Sequence, residues 1–151
     1  MASIKRWGVF SGGVLAGLIL ALSGLALGMF VLLPELSAGF PEGYVPDTVT
    51  PLLLRFFVGF VLVWAYVGFR PRFGAGRRAI LAAVTVTWVF SAATFLSAVA
   101  LLGVLSPLTS ALVVVSMLIE LLIAGFAGAA IYRRHGARKT RRRGRSLDEL
   151  R

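Results

Sequence analysis

The chain has 151 residues, 58% of them hydrophobic, and carries a formal net charge of +10. It contains no Cys, which excludes disulfides, thiol nucleophiles, iron–sulfur clusters and cysteine-ligated zinc. Asn and Gln are also absent, which excludes N-glycosylation and amide hydrogen bonds between helices. The single His, His135, lies beyond the last apolar segment, so no histidine within such a segment can ligate a haem or a pigment.

Four apolar segments are long enough to cross a bilayer, which takes roughly 20 residues in a helix. They cover residues 8–33, 51–69, 79–105 and 107–132. The connections between them are too short to hold a second domain. We therefore predict an all-α membrane protein: a four-transmembrane-helix bundle over residues 1–132, followed by a basic tail over residues 133–151.

The first segment carries small residues on one helix face. They are Gly13, Gly17, Ala21, Gly24 and Gly28. This α1 glycine face includes two G-x-x-x-G units, the pattern that lets helix backbones approach closely in lipid. The apolar run is about twice as long as the core of a signal peptide, and we expect a retained membrane anchor.

Turn and capping residues mark the connections between the segments. Thr50-Pro51 and Ser106-Pro107 each place a capping hydroxyl before a proline at the first helical position. Asp47 is a second candidate cap for the second helix. The sequence RPRFGAGRR, residues 70–78, predicts a tight and strongly charged turn.

The basic residues are unevenly distributed about the segments. Of the 16 Lys and Arg residues, two precede the first segment, four lie in the turn at 70–78 and nine follow the fourth. The first connection has three acids and no base. The positive-inside rule then predicts that both termini are cytoplasmic. Trp7, Tyr44, Tyr66 and Tyr132 are candidate interfacial aromatics, whereas Trp64 and Trp88 fall deeper in their segments.

The third and fourth segments also have faces of small and hydroxyl residues. The face on the third comprises Ala83, Thr87, Ser91, Thr94 and Ala98, and we call it the α3 small-residue face. The face on the fourth comprises Ser116, Glu120, Ala124 and Ala127. Such faces are typical of helix packing in membranes, where hydroxyls also bond to carbonyls of their own helix.

Glu120 lies near the middle of the fourth segment, where an ionised carboxylate exposed to lipid costs several kcal/mol. We expect it to face the bundle interior, with Ser91 and Thr87 as hydrogen-bond partners. Arg55 would have to reach down roughly two helical turns, about 11 Å, so a direct pair is not expected. Two hypotheses stay open: a proton or cation site, or a structural peg that fixes the fourth helix to the third or to another subunit.

The tail is a candidate site for anionic lipid headgroups. The residues proposed to bind them are Arg133, Arg134, Arg138, Lys139, Arg141, Arg142, Arg143 and Arg145. Each base near a membrane surface contributes about 1 kcal/mol of attraction. No aromatic residues are interleaved with the bases, which disfavours nucleic acid as the partner. The sequence SLDE, from Ser146, is a minimal capping box for a short terminal helix.

Catalysis has little support in the sequence. Glu35, Glu42 and Asp47 of the first connection have no His, Cys or metal-ligand spacing beside them. We therefore predict a protein that is not an enzyme and uses no cofactor.

Two stretches resemble a known group of sequences. LVWAYVGFRPRFGAGRRAILAA (residues 62–83) and ELLIAGFAGAAIYRR (residues 120–134) resemble segments of a group of small, uncharacterised four-span bacterial membrane proteins. Those segments read W-x-Y-x-x-x-R-P-R-F-G and E-L-L-x-A-x-x-A-G-A-x-x-Y-R. The resemblance implies a bacterial inner-membrane location and carries no activity.

Together, these features predict an accessory or scaffolding subunit of a larger membrane assembly, or a homo-oligomer, whose partners pack on the small-residue faces. The alternative is a small proton- or cation-coupled transporter or channel that uses Glu120.

Overall fold

The computed structural model describes the backbone of residues 6–34, 47–103 and 105–148, and side chains as far as Arg134. Its helices are α1 (Arg6–Leu27), α2 (Val49–Phe73), α3 (Arg77–Leu102) and α4 (Pro107–Asp148), and a π-helical turn, Gly28–Leu32, extends α1. Four helical stretches are long and apolar enough to cross a membrane. The predicted four-helix bundle is confirmed, and the chain is a multi-pass membrane protein.

The start of α2 differs from the prediction. The helix begins at Val49, two residues before Pro51. Asp47 accepts hydrogen bonds through Oδ1 from the backbone N–H groups of Val49 (2.9 Å) and Thr50 (3.3 Å). These are N–H groups that a helix start leaves without intrahelical partners. The prediction of Thr50 as the cap was therefore wrong, and the Asp47 side chain caps the start of α2 instead.

The other connections are short, as predicted. Gly74 ends α2 with φ 78°, and Gly103 ends α3 with φ 65°. Both values lie in the left-handed region that glycine adopts without steric cost. The cap at Ser106 is confirmed, since its Oγ accepts a hydrogen bond of 3.2 Å from the Thr109 N–H and α4 begins at Pro107.

The last helix is much longer than its apolar segment. Its backbone continues without a break to Asp148 and passes through Ser146. The prediction that SLDE starts a separate terminal helix is therefore wrong. The bases from Arg138 to Arg145 lie along this continuous helix, and their side chains are outside the described residues.

The bundle is packed more closely at one end than at the other. We call the end that holds the 74–76 turn and Arg133 the basic end, and the other the opposite end. α1 packs against α2 and α4, and α3 packs against the same two helices. Most of the buried core lies toward the basic end: Ala16, Leu20, Leu62, Val63, Tyr66, Ala79, Ile80, Ala83, Val84, Leu121, Ala124, Ala129 and Tyr132. Toward the opposite end, α2 and α3 expose most of their side chains.

The α1 glycine face is used inside the bundle. A β-carbon at Gly13 would lie 2.5 Å from Phe60 Cδ1, and one at Gly17 would lie 2.6 Å from the carbonyl oxygen of Phe56. These glycines therefore set the close approach of α1 to α2. Gly28 does not belong to this contact, because a β-carbon there would meet nothing within 4 Å among the described residues.

A second close contact was missed in the sequence. On the neighbouring face of α1, a β-carbon at Gly12 would lie 2.7 Å from the carbonyl oxygen of Gly128 in α4. Gly59 of α2 likewise meets the backbone of Gly17 directly. α1 thus packs two neighbours at once, and a search for a single stripe of small residues finds only one of its two faces.

Candidate functional site: an ion pair beside an open groove

Glu120 pairs with Arg55. The Nη1 of Arg55 lies 2.7 Å from Oε2 of Glu120, and the two side chains are only 21% and 12% exposed, respectively. Arginine keeps its charge in proteins, so the contact joins a cation to its counter-ion. The expectation that Arg55 would not reach Glu120 is wrong.

Gly24 provides the space that makes this pair possible. A β-carbon at Gly24 would overlap Cδ, Nε and Nη1 of Arg55. The Arg55 guanidinium therefore crosses α1 at Gly24, which has no side chain to block it, and reaches α4 from there. The sequence estimate of the distance from Arg55 to Glu120 assumed straight, parallel helices and did not allow for this crossing.

Thr87 and Ser91 do not bind Glu120. Both line the same groove as Glu120, and Thr87 is buried whereas Ser91 is half-buried. Within the described part of the chain, neither hydroxyl forms a hydrogen bond with the carboxylate. The predicted trio is thus brought together along one groove, but the partner of the acid is Arg55.

Other hydroxyls bond to their own helices, as expected. Thr94 Oγ1 donates to the carbonyl oxygen of Phe90 at 2.8 Å, and Ser116 Oγ donates to that of Val113 at 2.9 Å. A hydroxyl satisfied in this way can face lipid or another helix without an unpaired polar group.

The groove itself is large and open on one side. It encloses about 1740 Å³ between α2, α3 and α4. Its walls include Trp64 and Phe90, which are 67% and 72% exposed. Arg55 and Glu120 both line the groove, which therefore connects a half-buried charge pair with the lipid-facing side of the bundle.

The α3 small-residue face is only partly covered. Ala83 and Thr87 are buried against the core, whereas Thr94 and Ala98 are exposed in the groove. The small residues of this face thus continue beyond the point where the bundle packs against them.

A hydrogen bond between α3 and α4 was also missed. Trp88 Nε1 donates to the carbonyl oxygen of Val114 at 2.9 Å. A tryptophan in the middle of an apolar segment needs an acceptor for its N–H, and this requirement is a usable sequence signal. The bond fixes α3 against α4 close to the level of the ion pair.

At the basic end, Arg70 lies between two tyrosines. Its guanidinium carbon is 5.2 Å from the ring centre of Tyr132 and 5.9 Å from that of Tyr66. The tyrosines are 4% and 2% exposed, so they are packed inside the bundle near its basic end. Tyr66 also donates through its hydroxyl to the carbonyl oxygen of Ala75 at 3.3 Å, which ties the turn to α2.

Comparison with known proteins gives no relative to guide the assignment. The chain matches no family model, no curated protein and no solved structure. Within residues 6–34, 47–103 and 105–148, no group of three or more His, Cys, Asp or Glu side chains could hold a metal ion. Inferences about function therefore depend on the groove and the charges beside it.

Proposed function

We propose that the chain is a non-catalytic accessory or scaffolding subunit of a larger membrane assembly, or a homo-oligomer. The observation that supports this is the exposed part of the α3 small-residue face, Thr94 and Ala98. Small residues on a helix surface let another backbone approach closely in lipid. The hydroxyl of Thr94 is already bonded within its helix, so burying it against a partner leaves no donor unpaired.

The α3 face is a better candidate for this contact than α1. Gly13, Gly17 and Gly24 already meet side chains or backbone of α2. They have no room for a further helix. The proposed partner helix therefore packs along α3 in the half of the groove toward the opposite end.

The alternative is a small proton- or cation-coupled transporter or channel. An acid in the middle of a membrane segment, beside a groove, is the observation that favours it. The close approach of Arg55 weighs against it, because the negative charge that would attract a cation is already compensated.

We further propose that the protein resides in the bacterial inner membrane with both termini in the cytoplasm. The turn at 74–76 and the exposed Arg133 and Arg134 lie at the same end of the bundle, and the positive-inside rule assigns such an end to the cytoplasm. The bases of the tail then face the anionic headgroups of that leaflet, whereas nucleic acid stays disfavoured.

The assembly is tested with two variants that make the same change. Ala98→Leu adds bulk in the groove, and Ala26→Leu adds it to an exposed position of α1. After gentle detergent extraction, we expect the wild type and Ala26→Leu to migrate as a complex of higher mass than one chain. Ala98→Leu should release a folded single chain. A wild-type protein that is monomeric in mild detergent and in nanodiscs would contradict the proposal.

The transport alternative is tested in the same material. Proton flux in proteoliposomes that is present in the wild type and absent in a folded Glu120→Gln variant would establish transport in place of scaffolding.

Orientation is tested separately with single cysteines, since the chain has none of its own. In intact cells, an impermeant thiol reagent should label a cysteine at Ser106 and spare one at Ala75. Labelling of the Ala75 variant alone would reverse the proposed orientation.

A further inference from the structure

Arg70, at the edge of the groove, has no acidic partner among the described residues. Its Nε is buried and, among the described residues, has no hydrogen-bond partner. No ion pair joins its guanidinium to an acid in the described part of the chain. Arg55, the other arginine lining the groove, is neutralised by Glu120. Within the described part of the chain, the cation at the basic end of the groove therefore has no counter-ion.

We propose that this half of the groove binds an anionic phospholipid, with the phosphate at Arg70 and the acyl chains along α2. The flanking tyrosines pack against the guanidinium and hold it in place. The two Nη groups of an arginine held in this way, which unlike Nε are not enclosed, can donate to phosphate oxygens. The exposed Arg72, Arg77 and Arg78 lie around the same end, and high salt screens their charges.

The basic half of the groove is long enough for the acyl chains of one leaflet. From Arg70 the lining residues continue along α2 through Gly68 and Trp64 to Val61. The nine helical steps from Arg70 to Val61 span about 14 Å at 1.5 Å per residue, close to half of a hydrocarbon core of about 30 Å. The acyl chains of one leaflet would therefore end near Val61, about midway along the α2 lining, which continues to Pro51.

The chemistry of the walls also selects an amphiphile. Between Arg70 and Val61 the groove is lined on α2 by apolar side chains and by Gly68, where a β-carbon would meet nothing within 4 Å. A soluble anion would leave this surface uncovered. A phospholipid fills both the charged end and the apolar wall, and it enters from the bilayer through the open side.

This site is independent of the proposed partner contact, since Thr94 and Ala98 lie toward the opposite end. It also differs from the proposed attraction of the tail to headgroups, which is spread over many basic residues. High salt separates the two, because the Debye length falls to about 3 Å at about 1 M and screens exposed charges most.

The test uses the full chain, purified in mild detergent at about 1 M salt. It is incubated with equal amounts of phosphatidylglycerol and phosphatidylcholine, and bound lipid is counted by native mass spectrometry. We expect one retained phosphatidylglycerol, preferred about tenfold, because a charge-assisted hydrogen bond contributes on that order. Arg70→Met should lose the preference, and the matched control Arg72→Met should keep it.

A second pair of variants tests the apolar wall. Gly68→Leu fills open space in the groove and should lower lipid retention without lowering thermal stability. Gly28→Leu, which adds the same side chain to open space away from the groove lining, should leave retention unchanged. Equal retention in the wild type and Arg70→Met, or equal loss in Arg70→Met and Arg72→Met, would overturn the proposal.

Discussion

Gly24 of α1 lies against the side chain of Arg55 of α2, and a β-carbon at Gly24 would occupy the position of the guanidinium stem. The contact lets Arg55 cross toward α4 and meet Glu120 at 2.7 Å. A glycine chosen by spacing as a helix-packing residue therefore makes space for a charged side chain. Three helices are joined at this point, and each contributes one residue.

Gly24→Ala should displace Arg55 from Glu120. The β-carbon meets the flexible end of an arginine, so the side chain can move away, but the ion pair is then stretched or broken. We expect lower thermal stability in detergent than for the wild type. Gly28→Ala is the matched control, because its β-carbon meets nothing among the described residues. Equal stability of the two variants would argue against a space-making role for Gly24.

The pair itself should show strong coupling in a double-mutant cycle. Arg55→Leu and Glu120→Leu each leave one charge unpaired inside the bundle, at a cost of about 2 to 3 kcal/mol. The double variant removes both charges and should cost less than the sum of the single changes. Chemical unfolding in mixed micelles measures the stability of the wild type, the two single variants and the double variant.

Thr87→Val is the control for that cycle. Since Thr87 makes no hydrogen bond with Glu120 among the described residues, its effect should add to that of Glu120→Leu. Additive losses for Arg55→Leu and Glu120→Leu would show that the close contact contributes no net coupling.

The glycine contact between α1 and α2 should be sensitive to bulk. Gly17→Leu would push a side chain into the Phe56 carbonyl and ring, at 2.6 and 2.8 Å from the β-carbon, and backbone atoms cannot easily move aside. Overpacking of this kind costs roughly 1 to 3 kcal/mol or more. Leu18→Ala changes an exposed neighbour and should cost much less. Thermal unfolding of the two variants in one detergent provides the comparison, and similar losses would remove the argument for a specialised face.

The bond from Trp88 to Val114 should contribute measurably to the contact between α3 and α4. Trp88→Phe removes the N–H that donates at 2.9 Å and should lower the free energy of unfolding by about 1 kcal/mol beyond the loss of packing. Trp64→Phe is the control, because Trp64 is exposed in the groove and donates no hydrogen bond within the described residues. Equal effects at the two positions would mean that the bond is not significant for stability.

The sequence predicts the helices far better than it predicts their contacts. Length and apolar composition determine the four crossings, and the breakers in residues 70–78 predict the turn between α2 and α3. The end of α3 at Gly103, two residues before the predicted end of the segment, was not predicted. Arg55 was not predicted as the partner of Glu120. Counting residues along straight, parallel helices does not show that Gly24 on α1 leaves space for the Arg55 side chain. The same limit explains Gly28, which continues the spacing of the α1 glycine face beyond the point where α2 meets it.

The capping residue of α2 offers the last prediction, on pH. Hydrogen bonds from the side chain and backbone N–H of Thr50, and from the Val49 N–H, hold the pKa of Asp47 below its ordinary value of 3.8. Because the folded pKa is depressed, the cap stabilises the start of α2 fully above pH 3.8 and loses this effect as the pH falls through the lower folded value. In micelles, the Val49 and Thr50 amide resonances should therefore shift together in a single titration step below that pH. Asp47→Asn keeps an acceptor but removes the charge, so these resonances should no longer titrate there. Asp47→Ala should fray the first turn at every pH, visible as faster amide exchange at Val49, and unchanged exchange in that variant would show that the helix starts without its cap.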